Sequence, residues 1–218
     1  MRKIYHGNIS LVSDPEVFQY YFEKMDEQRR EKILRCKNEK DKLCSLLAGV
    51  FLKYALEQEG LCYKDQVFAV NVHGKPYIKN RSDLFFNLSH SEDYVACVIS
   101  DAEIGIDIES GKRISERMKR TALDRVAKSC FTEKEYVVYQ ESENKEEFFL
   151  KIWTRKESFS KAAGIGLGIG FQNLEVLHTE TEQEFFSGWL IEDIYVSLYQ
   201  KQAKNDVIVW KKLEDLPW

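Results

Sequence analysis

Gly105-Ile106-Asp107-Ile108-Glu109 alternates small or apolar residues with acids. In a strand, successive side chains face opposite ways, so Ile104, Ile106 and Ile108 share one face and Asp107 and Glu109 the other. Two carboxylates on one strand face repel unless a cation stands near them. A third acid, Glu157, lies in the basic and aromatic helical run Trp153-Thr154-Arg155-Lys156-Glu157-Ser158-Phe159-Ser160-Lys161. Three carboxylates beside lysines suit a hard divalent metal and a phosphate-bearing substrate.

Around these stretches the chain reads as alternating helices and short strands. Asp14-Pro15 marks a helix start, with Phe18, Tyr21, Phe22 and Met25 at helical spacing behind it. A basic segment (Arg29, Arg30, Lys32, Arg35, Lys37) precedes a long amphipathic helix carrying Leu43, Leu46, Leu47, Val50, Phe51 and Tyr54. Val67 to Val72, Leu84 to Leu88 and Tyr94 to Ile99 read as strands, and His73-Gly74-Lys75-Pro76 as a turn. Residues 115–129 read as a helix, Thr132-x-x-Glu135 as a capping box, and Lys145 to Ala163 as another helix. Strand-like runs follow at Leu174–Leu177, Phe185–Ile191, Tyr195–Tyr199 and Val207–Trp210. The expected fold is α+β, two similar halves over 1–104 and 105–218, each a small antiparallel sheet packed with helices.

Composition narrows the function classes. The chain has 218 residues, 44% of them hydrophobic and 13% aromatic, enough for a packed core. Its net charge of -4 disfavours a nonspecific nucleic-acid binder, which carries excess Lys and Arg. No window reaches the roughly 18 apolar residues of a membrane span, and the N-terminus has no apolar signal region. The five cysteines are scattered with no C-x-x-C spacing, which points to reduced cytoplasmic thiols.

Several residues admit both a structural and a chemical role. Asp107-x-Glu109 alone is common on solvated strand edges, but the isoleucines argue for a half-buried strand, where anions need a cation or donors. Glu157 and Lys161, four apart, share a helix face and make at least a surface ion pair. Lys156 sits beside an apolar stripe, so either its stem snorkels or its ammonium meets an anion. His90 is either a turn histidine or, with Ser89 and backbone N–H groups, a phosphate donor set. Gly164-Ile165-Gly166-Leu167-Gly168-Ile169-Gly170 follows a helix and is no phosphate fingerprint; it reads as a helix stop and loop.

Asn87-Leu88-Ser89-His90-Ser91, Gly105-Ile106-Asp107-Ile108-Glu109, Phe131-Thr132-Glu133-Lys134-Glu135 and Trp153-Thr154-Arg155-Lys156-Glu157-Ser158 through Gly164-Ile165-Gly166-Leu167 occur in that order. Together they resemble the 4′-phosphopantetheinyl transferases, specifically the larger surfactin-synthetase-activating type. The resemblance implies two similar halves and transfer of the phosphopantetheine arm of coenzyme A to a carrier-protein serine, releasing adenosine 3′,5′-bisphosphate. It also implies that Asp107, Glu109 and Glu157 hold Mg²⁺, with Mn²⁺ as an alternative, and that Glu157 is the base. Lys161 would contact a coenzyme A phosphate near the reacting group. Lys75, Ser89 and His90 match coenzyme A positions, and Arg29, Lys32 and Ser45 match the nucleotide end. One position departs: Cys44 stands where relatives carry arginine, and Lys42 is the expected substitute. The implied protein is a cytoplasmic monomer whose partner is an apo acyl or peptidyl carrier protein. The carrier would dock on the basic helix near Ile114–Lys128, with Arg113, Arg117, Lys119, Arg120, Arg125, Met118 and Leu123, a run that reads equally as a solvated charged helix face. A Mg²⁺-dependent phosphodiesterase or nucleotide hydrolase, and a noncatalytic coenzyme A-binding protein, are the alternatives.

Overall fold

The computed structural model describes residues 2–112, 120–166, 170–177, 185–201 and 208–212. These residues form two compact units. One comprises Met1–Ala69, Tyr77–Asp101 and Asp206–Trp218; the other comprises Val70–Pro76 and Ala102–Asn205.

In the first unit, β1 (Arg2–Asn8) is an inner strand of a four-stranded sheet. It pairs antiparallel with β5 (Tyr94–Ser100), which pairs antiparallel with the edge strand β4 (Phe85–Ser91). On its other side β1 pairs parallel with β9 (Ile208–Lys212), so this sheet is mixed, where a purely antiparallel one was expected. Three helices accompany it: α1 (Pro15–Lys24), α2 (Glu27–Arg35) and α3 (Glu39–Gln58). Each starts on a side-chain cap, Asp14, Asp26 and Asn38 respectively, which satisfies a backbone N–H the helix cannot. The apolar face of α3 packs with Tyr5, Val95 and Cys97 into one core.

The second unit repeats the plan. Strand β6 (Ile104–Ser110) pairs antiparallel with β8 (Ile194–Gln200), which pairs with β7 (Phe185–Ile191). Among the described residues, α4 (Arg120–Cys130), α5 (Glu133–Glu141) and α6 (Lys145–Ala163) follow β6 in sequence. The long helix again starts on an asparagine, Asn144, as α3 starts on Asn38. Both hairpins turn on Glu-Asp, with Glu92 (φ 50°) and Glu192 (φ 56°) in the left-handed region. The residue following each lead strand donates to the turn's aspartate carbonyl, Ile9 to Asp93 and Gly111 to Asp193, both at 2.8 Å. The halves are thus alike in structure.

Two expectations shift. Leu174–Leu177 is no strand, because side chains already satisfy its backbone: Val176 N–H donates to Glu135, and Arg155 donates to the carbonyls of Val176 and Leu177. Val67 to Val72 shortens to β2 (Phe68–Val70), paired with β3 (Pro76–Ile78). Among the described residues no helix is long and apolar enough to cross a membrane.

Candidate active site

Helix α6 lies on the face of β6 that carries Gly105, Asp107 and Glu109. Gly105 makes this possible: a Cβ there would stand 2.0 Å from the Ser158 carbonyl oxygen and 2.5 Å from Ala162 N. Buried Thr154 and Ser197 are hydrogen-bonded at 2.8 Å and fasten the same helix to β8. Ser197 is the register partner of Asp107. The close approach brings Lys161 Nζ to 2.5 Å from Asp107 Oδ1, with Asp107 almost wholly buried.

Glu157, one turn before Lys161, is half-buried in the same cluster. Burial first, then the Asp107 charge, pushes its carboxyl up to about 7; Lys161 pulls the other way and Glu109 adds to the rise. The three acids therefore feel one another, as the sequence suggests. They do not form a ready cage: among the described residues no group of three or more His, Cys, Asp or Glu side chains is arranged to hold a metal ion. The Lys161 ammonium lies on Asp107 instead. The donor chemistry still fits a hard cation, because Mg²⁺ commonly takes only one or two carboxylates plus substrate phosphates.

Lys75 belongs to the same unit. Its Nζ donates to the Ala162 carbonyl at 2.6 Å, and burial lowers its ammonium to about 8 against the favourable pull of Glu103. Lys156 resolves in favour of an anion. It is fully buried, 2.7 Å from buried Glu135, and donates to the carbonyls of Phe171 and Leu174. Glu135 also receives Thr132 N at 2.8 Å, so the acid of the capping box is a hub that sequence reading reduced to a cap.

The remaining candidates lie in the first unit. Arg29 and Lys32 share one face of α2, and among the described residues neither makes a salt bridge. The surrounding protein first, and Arg29 second, push the Lys32 ammonium down. Lys32 itself is exposed. The Arg29 stem crosses α3 at Gly49, where a Cβ would lie 3.3 Å from Arg29 Cγ. Ser45, one turn earlier on that helix, is buried, and its hydroxyl has no hydrogen-bond partner among the described residues. A buried hydroxyl with no partner among the described residues, one helical turn from where the Arg29 stem crosses, suits an anion.

Strand alternation separates Ser89 from His90: the first is buried and the second exposed. Their side chains do not converge, contrary to the donor set expected. Cys44 is buried and donates to the Glu92 carbonyl at 3.7 Å. Lys42, the expected substitute, pairs with Glu39, while Lys40, one turn before Cys44, pairs with Glu92 and Asp93. Of the expected docking helix, residues 113–119 lie outside those described, and Leu123 is a core residue at 1% exposure.

Comparison with known proteins agrees with this architecture. The family model described as "4'-phosphopantetheinyl transferase superfamily" matches residues 103–212. A second, "4'-phosphopantetheinyl transferase, N-terminal", matches 13–102. The chain belongs to the 4'-phosphopantetheinyl transferase superfamily, a family of transferases. It is 32% identical over 173 residues to 4'-phosphopantetheinyl transferase gsp of Aneurinibacillus migulanus, covering 78% of this chain and 68% of that protein. To 4'-phosphopantetheinyl transferase Sfp of Bacillus subtilis it is 29% identical over 194 residues, covering 87% and 83%. A holo-[acyl-carrier-protein] synthase of Shewanella frigidimarina is 40% identical over 75 residues, 34% of this chain and 59% of that one.

Proposed function

We propose that this protein transfers the 4′-phosphopantetheine group of coenzyme A to a serine of an apo carrier protein, releasing adenosine 3′,5′-bisphosphate. The observation that carries the reading is the placement of Glu157 one turn before Lys161, whose Nζ lies 2.5 Å from buried Asp107 on β6. A serine hydroxyl needs its proton removed as it attacks phosphorus. A carboxylate beside the reacting group is suited to take it, an effect typically worth ~10²–10⁴-fold. Lys161 and Lys75 supply ammonium groups for the pyrophosphate, and His90 adds a donor from the edge strand. Ser89 is a proposed coenzyme A contact of the same strand. Arg29, Lys32 and Ser45 take the nucleotide end and its 3′-phosphate.

Asp107, Glu109 and Glu157 are the proposed holders of Mg²⁺, or of Mn²⁺ in its place. Bound there, the ion would neutralise pyrophosphate charge and steady the departing phosphate. A cytoplasmic location and a monomeric state belong to the same proposal. The test is incubation with coenzyme A, Mg²⁺ and a panel of apo carriers, followed by mass spectrometry of the carriers. A mass gain of one phosphopantetheine supports transfer. Adenosine 3′,5′-bisphosphate released without any carrier would mark a hydrolase, and coenzyme A binding without turnover a noncatalytic binder.

A further inference from the structure

The end of helix α6 is capped by a segment far away in sequence. Asn71 is its centre. Its Oδ1 accepts from the N–H groups of His73 and Lys75, both at 2.9 Å, and its own N–H donates to the Lys75 carbonyl at 2.9 Å. These bonds close the turn that carries Lys75. The other half of the carboxamide faces outward from the turn: Nδ2 donates to the Gly164 carbonyl at 2.7 Å. Beside it, Lys75 Nζ caps the Ala162 carbonyl at 2.6 Å. Both carbonyls are among those a helix end leaves without an intrahelical partner. The contact is close enough to require glycine at 164, which has φ 66° and where a Cβ would lie 2.7 Å from Asn71 Nδ2.

We propose that Asn71 is a positioning residue for coenzyme A: one carboxamide fixes the turn bearing Lys75 to the helix end bearing Lys161, so that both ammonium groups address one pyrophosphate. This rests on the proposed transferase reading. An ammonium has three N–H donors, so Lys75 can keep Ala162 and still offer two to phosphate. Anchoring Nζ on a fixed carbonyl removes rotamer freedom that binding would otherwise have to remove. Asn71 itself touches no phosphate in this scheme and acts through Lys75.

The test is calorimetric binding of coenzyme A, in Mg²⁺, to the whole protein and to Asn71→Ser, Lys75→Ala and the double variant. Serine can still close the turn as an acceptor but is too short to reach Gly164. Asn71→Ser is expected to weaken coenzyme A binding by about ten-fold while lowering the thermal midpoint by only a few degrees. It is expected to raise KM for coenzyme A without altering kcat or KM for the carrier. In the Lys75→Ala background it should add no further loss. Unchanged binding by Asn71→Ser, or additive losses in the double variant, would overturn the positioning role and leave the transferase reading intact. A wild-type protein that binds no coenzyme A would overturn both.

Discussion

Glu135 and Lys156 meet at 2.7 Å with neither side chain exposed to water. The pair joins α5 to α6, and Lys156 also draws the carbonyls of Phe171 and Leu174 onto the helix. Removing one partner strands the other charge, a loss of about 3–5 kcal/mol. Lys156→Met is expected to lower unfolding free energy by that order, and adding Glu135→Gln to recover part of it, because glutamine removes the stranded charge and keeps an acceptor for the Thr132 and Val176 N–H groups. Denaturant unfolding of the three proteins checks this. A single variant as stable as wild type would contradict it.

Gly105 sets the distance between β6 and α6. An added methyl meets backbone atoms that cannot rotate away, so the helix itself must move. Gly105→Ala should cost about 1–3 kcal/mol or more and lower the thermal midpoint by several degrees. It should also separate Lys161 from Asp107 and cut transfer much more than stability alone explains. An alanine variant with wild-type midpoint and activity would show that the two elements pack more loosely.

The raised Glu157 carboxyl gives a signed pH dependence. Its folded value, about 7, exceeds its ordinary value of 4.5, so the folded chain holds the proton more tightly than the unfolded chain does. That stabilising contribution is complete below 4.5 and is lost as pH rises through about 7. In metal-free buffer, Glu157→Gln should nearly match the wild-type melting point at pH 4 and exceed it at pH 8. Equal melting points at both pH values would contradict the shift.

At the proposed nucleotide end, Arg29 lies across Gly49, one turn from the buried hydroxyl of Ser45, which has no partner among the described residues. If this corner takes the 3′-phosphate, Arg29→Ala should weaken binding of coenzyme A but hardly change binding of 3′-dephospho-coenzyme A. Calorimetry with the two ligands checks it, and an equal loss for both would place the 3′-phosphate elsewhere.

Much of the site is legible in the sequence because it depends on local periodicity. Alternation in β6 puts Asp107 and Glu109 together, and the spacing of four puts Glu157 and Lys161 on one helix face. Gly105 was legible as part of a motif but not as the contact that admits α6. Strand β1 escaped notice because Arg2–Asn8 has weak alternation and draws its order from partners near residues 100 and 208. The side chains that fold Leu174–Leu177 away from a strand are equally nonlocal, coming from Glu135 and Arg155. The matched Glu-Asp turns, at 92–93 and 192–193, were a readable sign of the repeated plan.

The most direct measurement is carrier mass after incubation with coenzyme A and Mg²⁺, comparing wild type with Glu157→Ala. Wild type should add one phosphopantetheine to at least one apo carrier in the panel. The variant should be slower by ~10²-fold or more while keeping its fold. No mass gain on any carrier with wild type, or full speed from Glu157→Ala, would contradict the central claim.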